Sequence, residues 1–197
     1  MPEPIPIAVF LSGGGRTLAN LLRCRDEDSL PIDVRLVISS SSKVRGVQLA
    51  TDAGIDTKVV LKSMHPEPAD YSAAMFDPVR SVGAKYVVMA GFLKHVLIPE
   101  EFTNRVINIH PSLLPAFGGE GMYGHHVHSA VIQSSAKVSG CTVHFVDNEY
   151  DNGPVILQKE CPVRNDDTPD TLAARVFEKE CQALPEALRK IALQQDA

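Results

Sequence analysis

Short apolar runs alternate with amphipathic segments through the first half of this chain, and each break between them is a glycine or polar turn. Ile5 to Leu11 is mostly apolar, breaks into Ser12-Gly13-Gly14-Gly15, and resumes as Arg16 to Leu22 with apolar residues at helical spacing. Strand, glycine turn and helix is the reading. A second unit follows, with Val34 to Ile38 as strand, a serine loop, and a helix over about 44–53 that Gly54 stops. Thr57 to Leu61 predicts a third strand. A polar connector at 64–68 leads to a helix from about Asp70 to Val82, stopped by Gly83, and then to Tyr86-Val87-Val88-Met89-Ala90. That run has no polar alternation, which predicts a central strand buried on both faces. Val106 to Ile109 is the next strand. This alternation specifies a mostly parallel α/β sheet with right-handed crossovers, in which ligands gather outside the carboxyl ends of the strands.

The last third changes character. Gly140 to Val146 and Val155 to Cys161 are extended runs joined by an Asp-, Asn- and Gly-rich connection at 147–154, which predicts an antiparallel hairpin extending the sheet. Asp170 to Ala192 reads as a closing helix, capped at Thr168 or Asp167 and bent at Pro185. The 197 residues fit one domain, with no repeat or interdomain linker.

Charge narrows the function classes. A net charge of −5 argues against a general nucleic-acid or membrane-surface binder, while leaving room for a local phosphate site. No apolar stretch reaches bilayer length, and the start of the chain lacks a signal-like charged flank and apolar run, so a cytoplasmic protein is expected. Cys24, Cys141, Cys161 and Cys181 stand far apart with no metal-ligand spacing, and read as reduced thiols.

Three segments with chemical potential fall at strand ends. Asn108 and His110, in Asn108-Ile109-His110-Pro111-Ser112-Leu113-Leu114-Pro115, point to one side of an extended chain. An amide and an imidazole together suit chemistry at a carbonyl carbon, although a single histidine after a strand is ordinarily a capping or surface residue. Ser12 to Thr17 opens a helix behind exposed backbone N–H groups, which serves either a tight turn or an anion; Arg16 and the Thr17 hydroxyl favour phosphate. It is neither a dinucleotide fingerprint nor a Walker loop. Gly91-Phe92-Leu93 follows the fourth strand. In the acidic connection, Asp151 comes within reach of His110 if the hairpin folds back, and the spacing does not match a calcium loop. His125, His126 and His128 lack a zinc-binding helix pattern, so no metal is expected, and 117–122 reads as a loop over the site.

Assembled, these residues resemble the phosphoribosylglycinamide formyltransferase family of folate-dependent enzymes, from about Ile7 to Ile191. The motifs that carry the resemblance are Ala90-Gly91-Phe92-Leu93, the segment 108–115, and Val143-His144-Phe145-Val146-Asp147 continuing to Gln158. The resemblance implies a Rossmann-like formyltransferase fold, with a nucleotide-binding half at about 1–105 and a catalytic and folate-binding half at about 106–197. It implies transfer of a formyl group from 10-formyltetrahydrofolate, as co-substrate, to the amine of glycinamide ribonucleotide in purine synthesis, by a monomer or homodimer. Asn108, His110 and Asp151 match the catalytic trio. Gly14, Gly15, Arg16 and Thr17 match the phosphate turn, and Glu180 matches a ribose-binding glutamate. Phe92, Leu93, Lys94, His95 and Val96, with Asn108, Val146, Asp147 and Asp151, match the folate site. The implied chemistry calls for no metal and no covalent intermediate.

The chain departs from the family pattern at Arg16 and Thr17, where serine or threonine followed by asparagine is common. It departs again at Ala116, where a basic residue is usual, and at Pro68, where some members carry an arginine. The loop at 118–123 is a few residues longer than in the shortest members. These changes keep three alternatives open: a related transferase with another acceptor, a formyl-folate hydrolase, or a silent folate- or nucleotide-binding protein.

Overall fold

The computed structural model describes residues 2–195. Seven strands form one sheet: β1 (Ile5–Leu11), β2 (Ile32–Ser39), β3 (Thr57–Val59), β4 (Tyr86–Met89), β5 (Val106–His110), β6 (Val138–Phe145) and β7 (Val155–Pro162). Their order is β3-β2-β1-β4-β5-β6-β7. The first five run parallel, and β6 and β7 extend the sheet antiparallel. The helices are α1 (Arg16–Glu27), α2 (Arg45–Asp52), α3 (Pro68–Ser81), α4 (His125–Gln133) and α5 (Pro169–Gln195), with short 3-10 turns at Lys62–Met64 and Glu100–Phe102.

β1 is buried along its whole length because both faces of the sheet are covered. Ile5, Ile7, Val9 and Leu11 pack on one face with Leu18 and Leu21 of α1 and with Leu184 and Leu188 of α5. Ala8 and Phe10 pack on the other with Tyr71, Met75 and Phe76 of α3. Chain connections leave β1 and β4 in opposite directions, so a crevice opens between their carboxyl ends, the place where open α/β sheets hold ligands.

Several boundaries differ from expectation. β2 starts at Ile32, where inward Ile32 and Val34 alternate with exposed Asp33 and Arg35. The edge strand β3 ends at Val59 rather than Leu61. α3 starts at Pro68, a residue suited to a first helical turn, whose missing N–H has no partner to lose. β5 continues through His110, so this histidine belongs to the strand and not to the loop after it. α4 was not anticipated: its core-facing Val127, His128 and Val131 are at helical spacing, but the three nearby histidines mask the apolar stripe.

α5 runs unbroken through Pro185. A proline within a helix leaves the carbonyl four residues earlier without its N–H partner. That carbonyl belongs to Cys181, and Asn20 of α1 donates its amide to it at 2.9 Å. The bond stitches α1 to α5, the two helices whose residues meet in the site described below. The start of α5 is pinned by Asp167, whose carboxylate accepts both Arg175 guanidinium nitrogens (2.6 and 2.8 Å), the Arg164 N–H (2.7 Å) and the Thr171 hydroxyl (2.8 Å). The Arg175 fork holds the Asp167 carboxyl well below the usual carboxylate range. A depressed folded pKa means that this stabilisation is complete above the unfolded value of about 4 and is lost as pH falls through the folded one. The unfolding free energy of wild type should therefore exceed that of Asp167→Asn by a constant margin from neutral pH to about 5, and the margin should shrink in denaturant melts below about pH 4. A gap unchanged in strong acid would refute the role of this ion pair.

Candidate active site

A cavity of about 420 Å³ lies at the carboxyl ends of β1, β4 and β5, and is walled by the segments after β4, after β5 and between β6 and β7. β5 brings Asn108 and His110 to it from one face of the strand. The turn after His110 is held from β6 and β7. Thr142 Oγ1 donates to the Ser112 carbonyl at 2.7 Å and accepts from Leu114 N at 3.0 Å, while Gln158 Nε2 donates to both Leu114 O and Thr142 Oγ1 at 2.9 Å. Every polar group of this buried junction that these bonds involve has a partner, which makes the turn stiff.

His110 is 3% exposed. Its Nε2 donates to the Phe117 carbonyl at 2.9 Å, and its Nδ1 stands 3.5 Å from Asp151 Oδ2. Both ring nitrogens thus face oxygen acceptors, an arrangement that an imidazolium satisfies and a neutral ring does not. Asp151 reaches inward from the β6–β7 connection with φ 53°, a left-handed conformation that aspartate tolerates better than most residues. Its Oδ2 also accepts the Gly119 N–H at 3.0 Å. The loop over the site is therefore tied to both His110 and Asp151. Asp147 organises the rest of the connection, accepting Glu149 N at 2.8 Å and Asn152 Nδ2 at 3.2 Å, and Asn148 Oδ1 accepts Ile98 N at 2.8 Å.

His144 completes the group and was not singled out in the sequence. It pairs with Asn108 across β5 and β6. Its Nδ1 donates to the Phe145 carbonyl at 2.8 Å, so its Nε2 is left to accept Asn108 Nδ2 at 3.2 Å. Burial, the dominant cause, lowers the His144 pKa, which preserves that lone pair. Asn108 spends one N–H on His144 and keeps its second N–H and its carbonyl oxygen for a ligand. The signal in the sequence was a histidine at an inward-facing position of an apolar strand.

The remaining site residues line the cavity in two groups. Arg16, Thr17, Ala173, Phe177 and Glu180 come from α1 and α5; Phe92, Leu93, Lys94, His95 and Val96, with Val146, Asp147 and Tyr150, come from the segment after β4 and from the end of β6 and the β6–β7 connection. Gly14 and Gly15 do not line the cavity. Gly15 is buried beneath the turn at φ 75°, and a Cβ there would stand 2.7 Å from the Gly46 Cα, so glycine is required by both backbone and packing. Burial pushes the Glu180 carboxyl up to about 7, with the Arg16 charge opposing the shift. Burial likewise lowers His128 to about 4, helped by His125 and His110, and its Nδ1 has no partner among the described residues. Among the described residues no group of three or more His, Cys, Asp or Glu side chains is placed to hold a metal ion. Nor is any described helix long and apolar enough to cross a membrane.

A family model described as formyl transferase matches residues 5–188. The chain belongs to the formyl transferase family. It is 40% identical over 190 residues to the chloroplastic phosphoribosylglycinamide formyltransferase of Vigna unguiculata, a match covering 94% of this chain and 60% of that protein. It is 31% identical over 182 residues to the phosphoribosylglycinamide formyltransferase of Haemophilus influenzae, covering 91% of this chain and 83% of that one. The crystal structure of glycinamide ribonucleotide transformylase 1 from Symbiobacterium toebii superposes with a TM-score of 0.90 at 36% identity, over 97% of this chain and 89% of that one. This formyl transferase thus spans about three-fifths of the plant relative's length and most of the bacterial ones. The fold expected from the sequence, a mostly parallel sheet closed by an antiparallel hairpin and a long helix, is the fold it has.

Proposed function

We propose that this formyl transferase moves a formyl group from 10-formyltetrahydrofolate to the amine of glycinamide ribonucleotide, a step of purine synthesis. The observation that carries the reading is the convergence of Asn108, His110 and Asp151 in one cavity that two cations, Arg16 and Lys94, also line. The relatives named above support the choice of acceptor.

The acceptor amine attacks the formyl carbon and builds a tetrahedral intermediate. Its oxyanion takes a hydrogen bond from the spare Asn108 N–H and is stabilised by the charge of the neighbouring His110 imidazolium, whose two N–H groups serve the Phe117 carbonyl and Asp151. Asp151 pairs with His110 and, through water, carries the proton lost by the amine to the departing folate nitrogen. Arg16 and Thr17 take the acceptor phosphate, on a turn that Gly14 and Gly15 shape without lining the cavity, and Glu180 takes the ribose. Phe92 to Val96, Val146 and Asp147 hold the folate, with Lys94 placed for its anionic tail. The four unpaired cysteines, three of them buried, fit a reducing cytoplasm.

The test is spectroscopic: deformylation of 10-formyldideazafolate by purified protein, with and without glycinamide ribonucleotide. Loss of formyl that requires the ribonucleotide is expected. Loss without it would reassign the protein as a hydrolase, and tight binding of both ligands without product would leave a silent binding protein.

A further inference from the structure

Among the described residues, Arg16 and Lys94 are the only lysine or arginine side chains lining the cavity. Arg16 is the first residue of α1, whose opening turn holds no acidic side chain and whose N-cap, Gly15, supplies no side-chain cap. The first N–H groups of that helix are therefore unsatisfied by side chains. Within the described residues the Arg16 guanidinium has no carboxylate partner and no hydrogen bond. What it does have is the ring of Phe177, with the guanidinium carbon 3.7 Å from the ring centroid.

Phe177 is unusual for an aromatic residue of a long amphipathic helix. It is only partly buried and belongs to neither hydrophobic cluster, although its neighbour Val176 is fully buried in one of them. It sits instead in a stripe with Ala173 and Glu180, spaced four and three residues apart, that faces the cavity. A guanidinium stacked by its face on a ring keeps its N–H donors, which lie in its own plane, available to a ligand. The ring thus holds a long, flexible cation in place without consuming any of its hydrogen bonds.

We propose that Phe177 is a positioning residue for acceptor recognition: it holds Arg16 over the start of α1 so that this side chain, together with the first-turn N–H groups and the Thr17 hydroxyl, grips a phosphate monoester. The inference rests on the acceptor assignment above and adds to it a phosphate grip made by a side chain stacked on α5. The Asn20 bond to the Cys181 carbonyl fixes the spacing of the two helices that the stack bridges.

A double-mutant cycle tests it. Phe177→Leu is expected to raise KM for glycinamide ribonucleotide about tenfold, with kcat and the donor KM little changed, whereas Phe177→Tyr, which keeps a ring, stays close to wild type. In an Arg16→Ala background, Phe177→Leu should add almost nothing, because the group it positions is gone. An unchanged acceptor KM in Phe177→Leu, or an equal penalty with and without Arg16, would overturn the proposal. Binding of inorganic phosphate, followed by calorimetry on wild type and Phe177→Leu, separates this inference from the assigned reaction. Phosphate binding weakened by Phe177→Leu, in a protein that does not formylate the ribonucleotide, upholds the grip and rejects that acceptor. Formylation with an acceptor KM indifferent to Phe177 does the reverse. Arg16→Ala alters an exposed side chain and leaves the fold intact, so the cycle stays readable if Phe177→Leu lowers stability.

Discussion

His110→Ala is expected to lower kcat for formyl transfer about a thousandfold while leaving the cooperative unfolding transition in place. Alanine removes the imidazole that stands beside the developing oxyanion and pairs with Asp151 at 3.5 Å. It also leaves the Phe117 carbonyl without the Nε2 donor it meets at 2.9 Å, so some loosening of the overlying loop should accompany the loss. Asp151→Asn is the sharper companion, because it keeps the shape of the side chain and an acceptor for the Gly119 N–H while removing the negative charge. This variant should lose rate about a hundredfold, because the charge that faces His110 and the group that relays the amine proton are both gone. Steady-state kinetics, set beside thermal melts, read both outcomes. Turnover near wild type in either variant would remove the pair from the reaction.

Gly140→Ala is expected to destabilise the protein by about 3 kcal/mol or more, or to prevent its accumulation as a folded species. A Cβ at this position would stand 2.1 Å from the Lys159 carbonyl oxygen, 2.8 Å from a Leu113 methyl and 3.0 Å from the Glu160 Cα. Two of those atoms are backbone, so a rotamer change cannot relieve the clash; β7 must part from β6 at the point where Gly140 pairs with Glu160. The same displacement pushes on Leu113, in the turn that follows His110, so residual activity should fall with stability. Gly13→Ala is the control, since an added Cβ there meets no heavy atom within 4 Å and its φ lies outside the left-handed region. Denaturant unfolding of the two variants measures the contrast, and equal stabilities would show that the hairpin can open at Gly140 at little cost.

The parts of this fold that were legible in the sequence share a physical origin. Ile5–Leu11 and the run from Tyr86 announce themselves because a strand buried on both faces has no polar positions to interrupt it. The glycine stops at Gly54 and Gly83 could be read for a similar reason: both sit at positive φ, where other residues are strained. α4 is not legible in the sequence because its inward face includes a buried histidine, and periodicity counts histidine as polar. Pro185 does not end α5, and the carbonyl it frees finds a donor elsewhere. Asn20, 161 residues earlier, satisfies it.

The sequence by itself determined the sheet type, the strand ends at which chemistry is possible, and the pairing of Asn108 with His110 on one face, because each follows from local periodicity and the reach of a few residues. Only the tertiary structure decided which of those groups meet. The approach of Asp151 to His110 depends on how the hairpin folds back, the lone pair that His144 offers Asn108 depends on strand register, and the stacking of Arg16 on Phe177 depends on the crossing of α1 and α5. These contacts join residues 36 to 161 positions apart in the chain. Their geometry is set by packing and sheet order, quantities that belong to the whole assembly of elements and that no local stretch of sequence contains.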